Sequence, residues 1–250
     1  QTSLDKNLEY FKKVFEYNSF ASGEAVEQLT QSTMKVISTE SGISDKTKQD
    51  FLDFTKTKID EKVASSPKDA RYLVFAGGFY NRLGQFDDAI KYLDRALIES
   101  PNKQSIYFEL GTSYLGKGDR PKMFEMFKKA YELKTSSVES QIIYMVGAIY
   151  VGNKEVQDQM SKLVPREKIL NDSRVLKAYS DMGDNSIAIS ILNERIKVNP
   201  KTMQDRFLLA DIYYRLGLKQ KSAELIKEMT EIDPSFKTQG DMYIQQILAQ

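Results

Sequence analysis

The chain has 250 residues, and its 36 basic and 35 acidic side chains give a formal net charge of +1 at pH 7. Because neither sign forms a long run, the composition does not support non-specific binding of nucleic acid or of anionic membranes. Cysteine and histidine are both absent, which excludes disulfides, a thiol nucleophile, an imidazole base and the usual zinc site.

Three helices are predicted at the start of the chain. Apolar residues at helical spacing indicate a first helix from Leu4, a second that contains Val26, and a third from about Thr47 to Ala64. The second and third helices are typical of a lengthened, degenerate repeat, and the first corresponds to the second half of a repeat. Residues 1–67 are therefore predicted to be a half-repeat followed by a degenerate repeat with long helices.

A period of 34 residues governs the rest of the sequence. Residues recur after this interval in two parts of the chain: Pro67 and Pro101, Gly77 and Gly111, Tyr80 and Tyr114, Gly84 and Gly118, then Tyr179 and Tyr213, Gly183 and Gly217, Pro200 and Pro234. A fixed period of this length is typical of a repeat array. Within each unit the apolar spacing predicts two helices, the first ending at a glycine and the second before a proline.

The repeating unit resembles the tetratricopeptide repeat. The resemblance is carried by the leucine, small, aromatic and proline positions of the motif. These are Leu73, Gly77, Tyr80, Ala89, Leu93, Ala96 and Pro101 in one unit, and Tyr107, Leu110, Gly111, Tyr114, Phe127 and Ala130 in the next. The resemblance implies an all-α fold, a right-handed superhelical solenoid of helix-turn-helix repeats. We expect Gly77 and Gly111 to let the two helices of a unit approach closely.

The array is predicted to cover residues 70–236 within one elongated solenoid domain. Its units are residues 70–103, 104–137, 138–167, 169–202 and 203–236, and residues 237–250 are predicted to form a terminal capping helix. The unit at 138–167 is irregular, because Tyr150 lies 36 residues after Tyr114 but only 29 before Tyr179. We expect this unit to have a short second helix.

Two motifs have competing interpretations. The segment from Gly111 to Lys117 matches a phosphate-binding loop up to its lysine, but Gly118 follows where Ser or Thr is needed, and no strand precedes it. The segment from Asn171 to Ser173 matches a glycosylation sequon, but the same residue types are typical of a helix N-terminus. Capping of the free backbone N–H groups of that helix is the preferred interpretation. No spacing brings a matched carboxylate pair together, so we predict no catalytic residue, no metal site and no cofactor.

The resemblance places the functional surface on the concave side, at outward positions of each first helix. Carried over to this sequence, those positions are Val74, Asn81 and Arg82, then Phe108, Thr112 and Leu115, then Tyr144 and Val151, then Lys177, and finally Phe207, Asp211, Tyr214 and Arg215. The four aromatic residues are larger and more apolar than solvent-facing positions need. Two interpretations stay open: they anchor a peptide or partner segment, or they pack between repeats.

A second resemblance is to the C-terminal repeat domains of bacterial membrane proteins of the O-antigen ligase and polymerase family, through residues 7–18, 80–84 and 100–111. It implies a domain that positions a partner in envelope polysaccharide assembly, while catalysis belongs to the membrane part. This piece itself would insert no segment into the bilayer, and we expect upstream sequence to encode spans of about 20 apolar residues. Two functions remain open, namely a protein-interaction scaffold and a domain that binds glycan or lipid-linked substrate directly.

Overall fold

The computed structural model describes residues 3–16, 22–39 and 42–249, and all regular structure in these ranges is helical. The α-helices are α1 (Ser3–Glu16), α2 (Ser22–Ser38), α3 (Asp45–Ser65), α4 (Ala70–Arg82), α5 (Phe86–Glu99), α6 (Gln104–Gly116), α7 (Arg120–Leu133), α8 (Val138–Tyr150), α9 (Lys154–Leu163), α10 (Arg166–Asn171), α11 (Ser173–Asp181), α12 (Asn185–Val198), α13 (Met203–Arg215), α14 (Lys219–Ile232) and α15 (Lys237–Ala249). A 3₁₀ turn at Pro234–Phe236 precedes α15.

The chain divides into two compact units, Gln1–Leu133 and Lys134–Gln250. In the first unit, helices pack as the hairpins α2–α3, α4–α5 and α6–α7; in the second, as α8–α9, α11–α12 and α13–α14, with α15 against α14. Hairpins of neighbouring helices joined by short turns confirm the predicted all-α repeat fold. The predicted domain bounds and the single continuous domain stay predictions.

Close packing within a hairpin explains two of the recurring glycines. A Cβ at Gly77 would lie 2.5 Å from Leu93 Cγ, and one at Gly111 would lie 2.1 Å from Phe127 Cε1. Both separations are far below van der Waals contact, so no larger residue fits while the helices keep their spacing. The predicted steric role of these two glycines is confirmed.

The glycine at the end of a first helix has a different role. Gly84 and Gly118 have φ of 71° and 76°, and a Cβ at either position would meet nothing within 4 Å. Their requirement is conformational, since a left-handed residue after a helix favours glycine. Gly111 lies inside α6 and Gly118 in this turn, so the apparent phosphate-binding motif is part of the repeat.

The irregular part of the array lies in the second unit. Helix α9 has 10 residues, whereas α5 has 14, so the predicted short second helix is observed. The next first helix is divided into α10 and α11 at Asp172, whose carboxylate accepts a hydrogen bond from the Arg174 amide at 2.9 Å. This confirms the capping interpretation, but the separate helix α10 was not predicted from the sequence.

Helices also lie near both ends of the described residues. Helix α1 begins at Ser3, near the predicted Leu4, while residues 17 and 18 of the predicted half-repeat lie outside the described residues. Helix α15 begins at Lys237 and packs against α14. No helix in the described ranges is long and apolar enough to cross a membrane.

Candidate functional site

First helices of neighbouring repeats face each other along a seam, and the seam between α4 and α6 is closed. Asn81 Nδ2 donates hydrogen bonds to the backbone oxygen of Glu109 at 3.0 Å and to its Oε2 at 2.8 Å. Ser113 Oγ donates to Asn81 Oδ1 at 2.6 Å. Gly78 faces the Glu109 carboxylate across the seam, and a Cβ at Gly78 would lie 3.4 Å from Glu109 Oε1. A buried polar network therefore joins the two helices.

The seam between α11 and α13 is open. The backbones of α4 and α6 approach closely, whereas those of α11 and α13 barely do, and a cavity of about 400 Å³ lies between α11 and α13. Its floor contains Leu176, Leu192 and Ile212, which are all buried. Leu208 stands at its edge with 39% of its surface exposed. We call this cavity the α11–α13 pocket.

Four cations and one acid line the α11–α13 pocket, namely Arg174, Lys177, Arg195, Arg215 and Asp211. The acids that pair with the first three do not line it: Arg174 contacts Glu139 and Asp172, Lys177 contacts Asp181, and Arg195 contacts Asp205. Arg215 pairs with Asp211 at 2.9 Å. The pocket thus combines an apolar floor with a rim rich in N–H donors.

One of these charge networks lies at the break between α10 and α11. Arg174 binds Asp172 through Nε and Nη2, at 3.0 and 2.6 Å, and reaches Glu139 on α8 through both Nη atoms. Burial opposes ionisation of Asp172, but the bonds and charge of Arg174 together outweigh it and lower the pKa of Asp172 below its ordinary value. The network fixes the start of α11, which forms one wall of the pocket.

A second, smaller cavity lies on the opposite flank of α13, towards α15. It has a volume of about 230 Å³ and is lined by Phe207, Tyr214 and Tyr243, with Ala210, Ser222 and Ile226 from α13 and α14 and Gln246 and Ile247 from α15. The rings of Phe207 and Tyr243 meet edge to face, with centroids 5.9 Å apart. Asp211 lines both this cavity, the α13–α15 pocket, and the α11–α13 pocket.

The structure brings together five of the predicted groove residues in the second unit. Lys177, Asp211 and Arg215 line one pocket, and Phe207, Asp211 and Tyr214 line the other. Val151 is exposed at the end of α8 and lines neither pocket. These placements agree with outward positions, but they do not test binding, so the assignment remains a prediction.

Two other predicted positions are not open. Asn81 has 9% of its surface exposed and is held by Glu109 and Ser113, and Tyr144 has 7% exposed. The Asn81 side chain is thus engaged in hydrogen bonds between α4 and α6. The remaining predicted residues of the first unit are mixed: Arg82 and Thr112 are exposed, whereas Val74, Phe108 and Leu115 are half-buried.

Several lining residues were not predicted from the sequence. Arg195 belongs to α12, the second helix of its repeat, whereas the resemblance predicts a binding surface formed by first helices. Tyr243 comes from α15, which the repeat pattern predicts only as a terminal capping helix. Leu208 carried a usable signal, because a leucine next to outward-facing Phe207 is larger and more apolar than an exposed position requires.

The two pockets combine apolar walls with a few polar groups, an arrangement that suits binding. Within the described ranges, no group of three metal-ligating side chains could hold an ion. The only acid that lines either pocket, Asp211, is paired with Arg215, and no second carboxylate joins it for acid–base chemistry.

The tetratricopeptide-repeat family model matches residues 60–104, 80–122 and 176–235. A tetratricopeptide repeat protein from Parabacteroides merdae has a similar structure, with a TM-score of 0.58 and 15% identity over 98% of this chain and 99% of that one. YrrB, described as a TPR protein with an unusual peptide-binding site, aligns with a TM-score of 0.44 and 14% identity over 70% of this chain and 92% of its own. No protein of curated function matches the sequence significantly. The period, the hairpins and the family match together make this chain a member of the tetratricopeptide-repeat family.

Proposed function

We propose that the chain is a non-catalytic protein-interaction scaffold that holds a segment of a partner protein in the α11–α13 pocket. The observation that carries the proposal is the open seam, a cavity of about 400 Å³ with Leu176, Leu192 and Ile212 at its base and the exposed Leu208 at its edge. Burying a large apolar side chain there would contribute about 1.5–3 kcal/mol. The repeat fold supports the same role, since stacked helical repeats commonly present extended binding surfaces.

Direct binding of glycan or lipid-linked substrate has less support. No aromatic side chain is among the residues that line the α11–α13 pocket, so a sugar ring would find no stacking partner there. Specific pockets combine an apolar surface with a few placed polar groups, and the leucine floor with its charged rim fits an amphipathic peptide segment better.

Photo-crosslinking tests this proposal directly. A benzoylphenylalanine placed at Leu208, on the pocket edge, is compared in cells with one placed at Ile98, which is 79% exposed on α5 and far from the pocket in sequence. We expect Leu208 to label one partner segment that Ile98 does not label. Equal labelling from the two positions would contradict the proposal.

The labelled segment is then synthesised as a peptide and titrated calorimetrically. Leu208→Ala should weaken its binding about tenfold or more if Leu208 borders the docked segment. Ile98→Ala is the matched control, since both changes truncate an exposed aliphatic side chain on a helix. Unchanged affinity in a folded Leu208→Ala protein would place the binding site elsewhere.

We further propose, on sequence resemblance alone, that this domain belongs to a bacterial membrane protein of envelope polysaccharide assembly. The support is the likeness of residues 7–18, 80–84 and 100–111 to the repeat domains of O-antigen ligases and polymerases. In that case the scaffold would be tethered to the membrane by other parts of the protein. Sequencing the complete gene tests this, because a polytopic membrane domain in the same reading frame is expected.

A further inference from the structure

We infer that the two pockets on either side of α13 recognise one extended, acidic segment of the partner through two apolar side chains three residues apart. The inference rests on the proposed function and extends it by naming the chemistry of the segment. It depends on the relation between the two pockets, which share one residue and differ in charge.

Helix α13 forms a ridge between the pockets. Its neighbouring residues Phe207 and Leu208 line different pockets, Phe207 the one towards α15 and Leu208 the one towards α11. They are exposed by 43% and 39%, and Asp211 one turn later lines both pockets. A segment that crosses α13 therefore meets both pockets in succession.

The width of the ridge sets the spacing of the two anchors. A helix with its side chains is about 10 Å wide, so side chains entering the two flanks are about that far apart. An extended chain with three residues per turn and a rise of 3.1 Å per residue places side chains i and i+3 on one side, about 9 Å apart. Spacing by three residues in this conformation therefore matches the two pockets.

The pockets differ in their preferred chemistry. No lysine or arginine lines the α13–α15 pocket, whose walls include the rings of Phe207, Tyr214 and Tyr243. The α11–α13 pocket has four lining cations for one lining acid. Arg215 pairs through Nη2 with Asp211 at 2.9 Å, and a guanidinium carries five N–H donors in all.

Charge complementarity therefore selects an acidic neighbour for the anchor in the α11–α13 pocket. The pairs Lys177–Asp181 and Arg215–Asp211 are exposed i,i+4 pairs, and pairs of this kind contribute little to stability. A partner carboxylate can exchange with them at little cost. A basic residue at the same place would lie against the lysine and the arginines and be disfavoured.

A random 12-residue peptide library displayed on phage, selected against the whole chain, tests the inference. We expect enriched peptides to carry two large apolar residues three positions apart and Asp or Glu beside one of them. Enrichment of basic peptides, or of a seven-residue spacing typical of a helix, would overturn the extended acidic segment.

Synthetic forms of one enriched peptide then assign the pockets. Replacing either anchor with Ala in the peptide, or Phe207→Ala or Leu208→Ala in the protein, should each weaken binding about tenfold. In the Phe207→Ala protein, removing the peptide anchor of the α13–α15 pocket should weaken binding no further. In the Leu208→Ala protein, the same should hold for the anchor of the α11–α13 pocket. Equal sensitivity to both anchors in both variants would contradict the two-pocket assignment.

The outcomes separate this inference from the function on which it rests. Peptides that bind with a single anchor and lose affinity in Leu208→Ala, but not in Ile98→Ala, would support the scaffold and overturn the two-pocket segment. Failure to enrich any peptide that depends on Phe207 or Leu208 would count against both.

Discussion

The α4–α6 seam and the α11–α13 seam are built from equivalent positions, yet one is closed and the other is open. Residues 99 positions apart correspond, as Tyr80 does to Tyr179 and Tyr114 to Tyr213. At the closed seam Asn81 bonds to Glu109 and Ser113. At the open seam the corresponding residues are Ser180, Leu208 and Ile212, which offer no such network.

The difference shows that hairpin packing and seam closure are controlled by separate residues. Both seams lie between hairpins with buried cores, including Leu93 in one unit and Leu192 in the other. What changes is the outward face, where Gly78 of the closed seam corresponds to Lys177 of the open one. At the open seam the long side chain of Lys177 and the short hydroxyl of Ser180 replace Gly78 and Asn81, so the hydrogen bonds of Asn81 have no counterpart there.

Gly111→Ala should have the largest effect, because it tests packing inside a hairpin. Its Cβ would lie 2.1 Å from a ring atom of buried Phe127, and such overpacking costs about 2–3 kcal/mol. Urea denaturation followed by circular dichroism measures the loss in free energy of unfolding. A change below about 0.5 kcal/mol would show that α6 and α7 can separate easily.

Asn81→Ala tests the closed seam and should destabilise the first unit by about 2 kcal/mol, since it removes the bonds to Glu109 and leaves the buried Ser113 hydroxyl with one partner fewer. Ser180→Ala is the matched change in the open seam and should stay within about 0.5 kcal/mol. Hydrogen exchange of α4 and α11 amides reports the two effects locally. Similar losses in both variants would remove the distinction between the seams.

Asp172→Ala tests the wall of the open seam and should cost about 1 kcal/mol through loss of the helix cap. Because the folded pKa of Asp172 is lowered, its ionised form contributes stability that is complete above the unfolded pKa of about 4 and is lost as pH falls through the folded pKa. The stability difference between the native protein and Asp172→Asn should therefore shrink below about pH 4. A pH-independent difference would mean that charge at Asp172 does not matter.

Gly78→Ala should have the smallest effect and the opposite sign. A Cβ at Gly78 would lie 3.4 Å from Glu109 Oε1, an ordinary contact, while alanine is favoured over glycine inside a helix by up to about 1 kcal/mol. We expect a small gain in thermal stability. A loss like that of Gly111→Ala would show that the closed seam has no room for even one methyl group.

The repeat period predicted the hairpins because it depends on residues near one another in the chain. Gly77 and Gly111 could be assigned a steric role for the same reason. The closed seam could not be predicted, since Asn81 and Glu109 lie 28 residues apart and nothing in either residue alone indicates that they bond. Some residues that line the pockets could not be predicted, because Arg195 and Tyr243 come from helices other than the first helix of a repeat.

Asp211 lines both pockets while it is paired with Arg215, and this shared position has a thermodynamic consequence. A group that displaces this carboxylate from one side alters the charge and the space met on the other. In the proposed binding mode, occupancy of the two pockets would then be linked by a coupling free energy, which must be equal in both directions. The sign and size of that coupling follow from a double-mutant cycle between the two peptide anchors, and its loss in Asp211→Ala would assign it to this carboxylate.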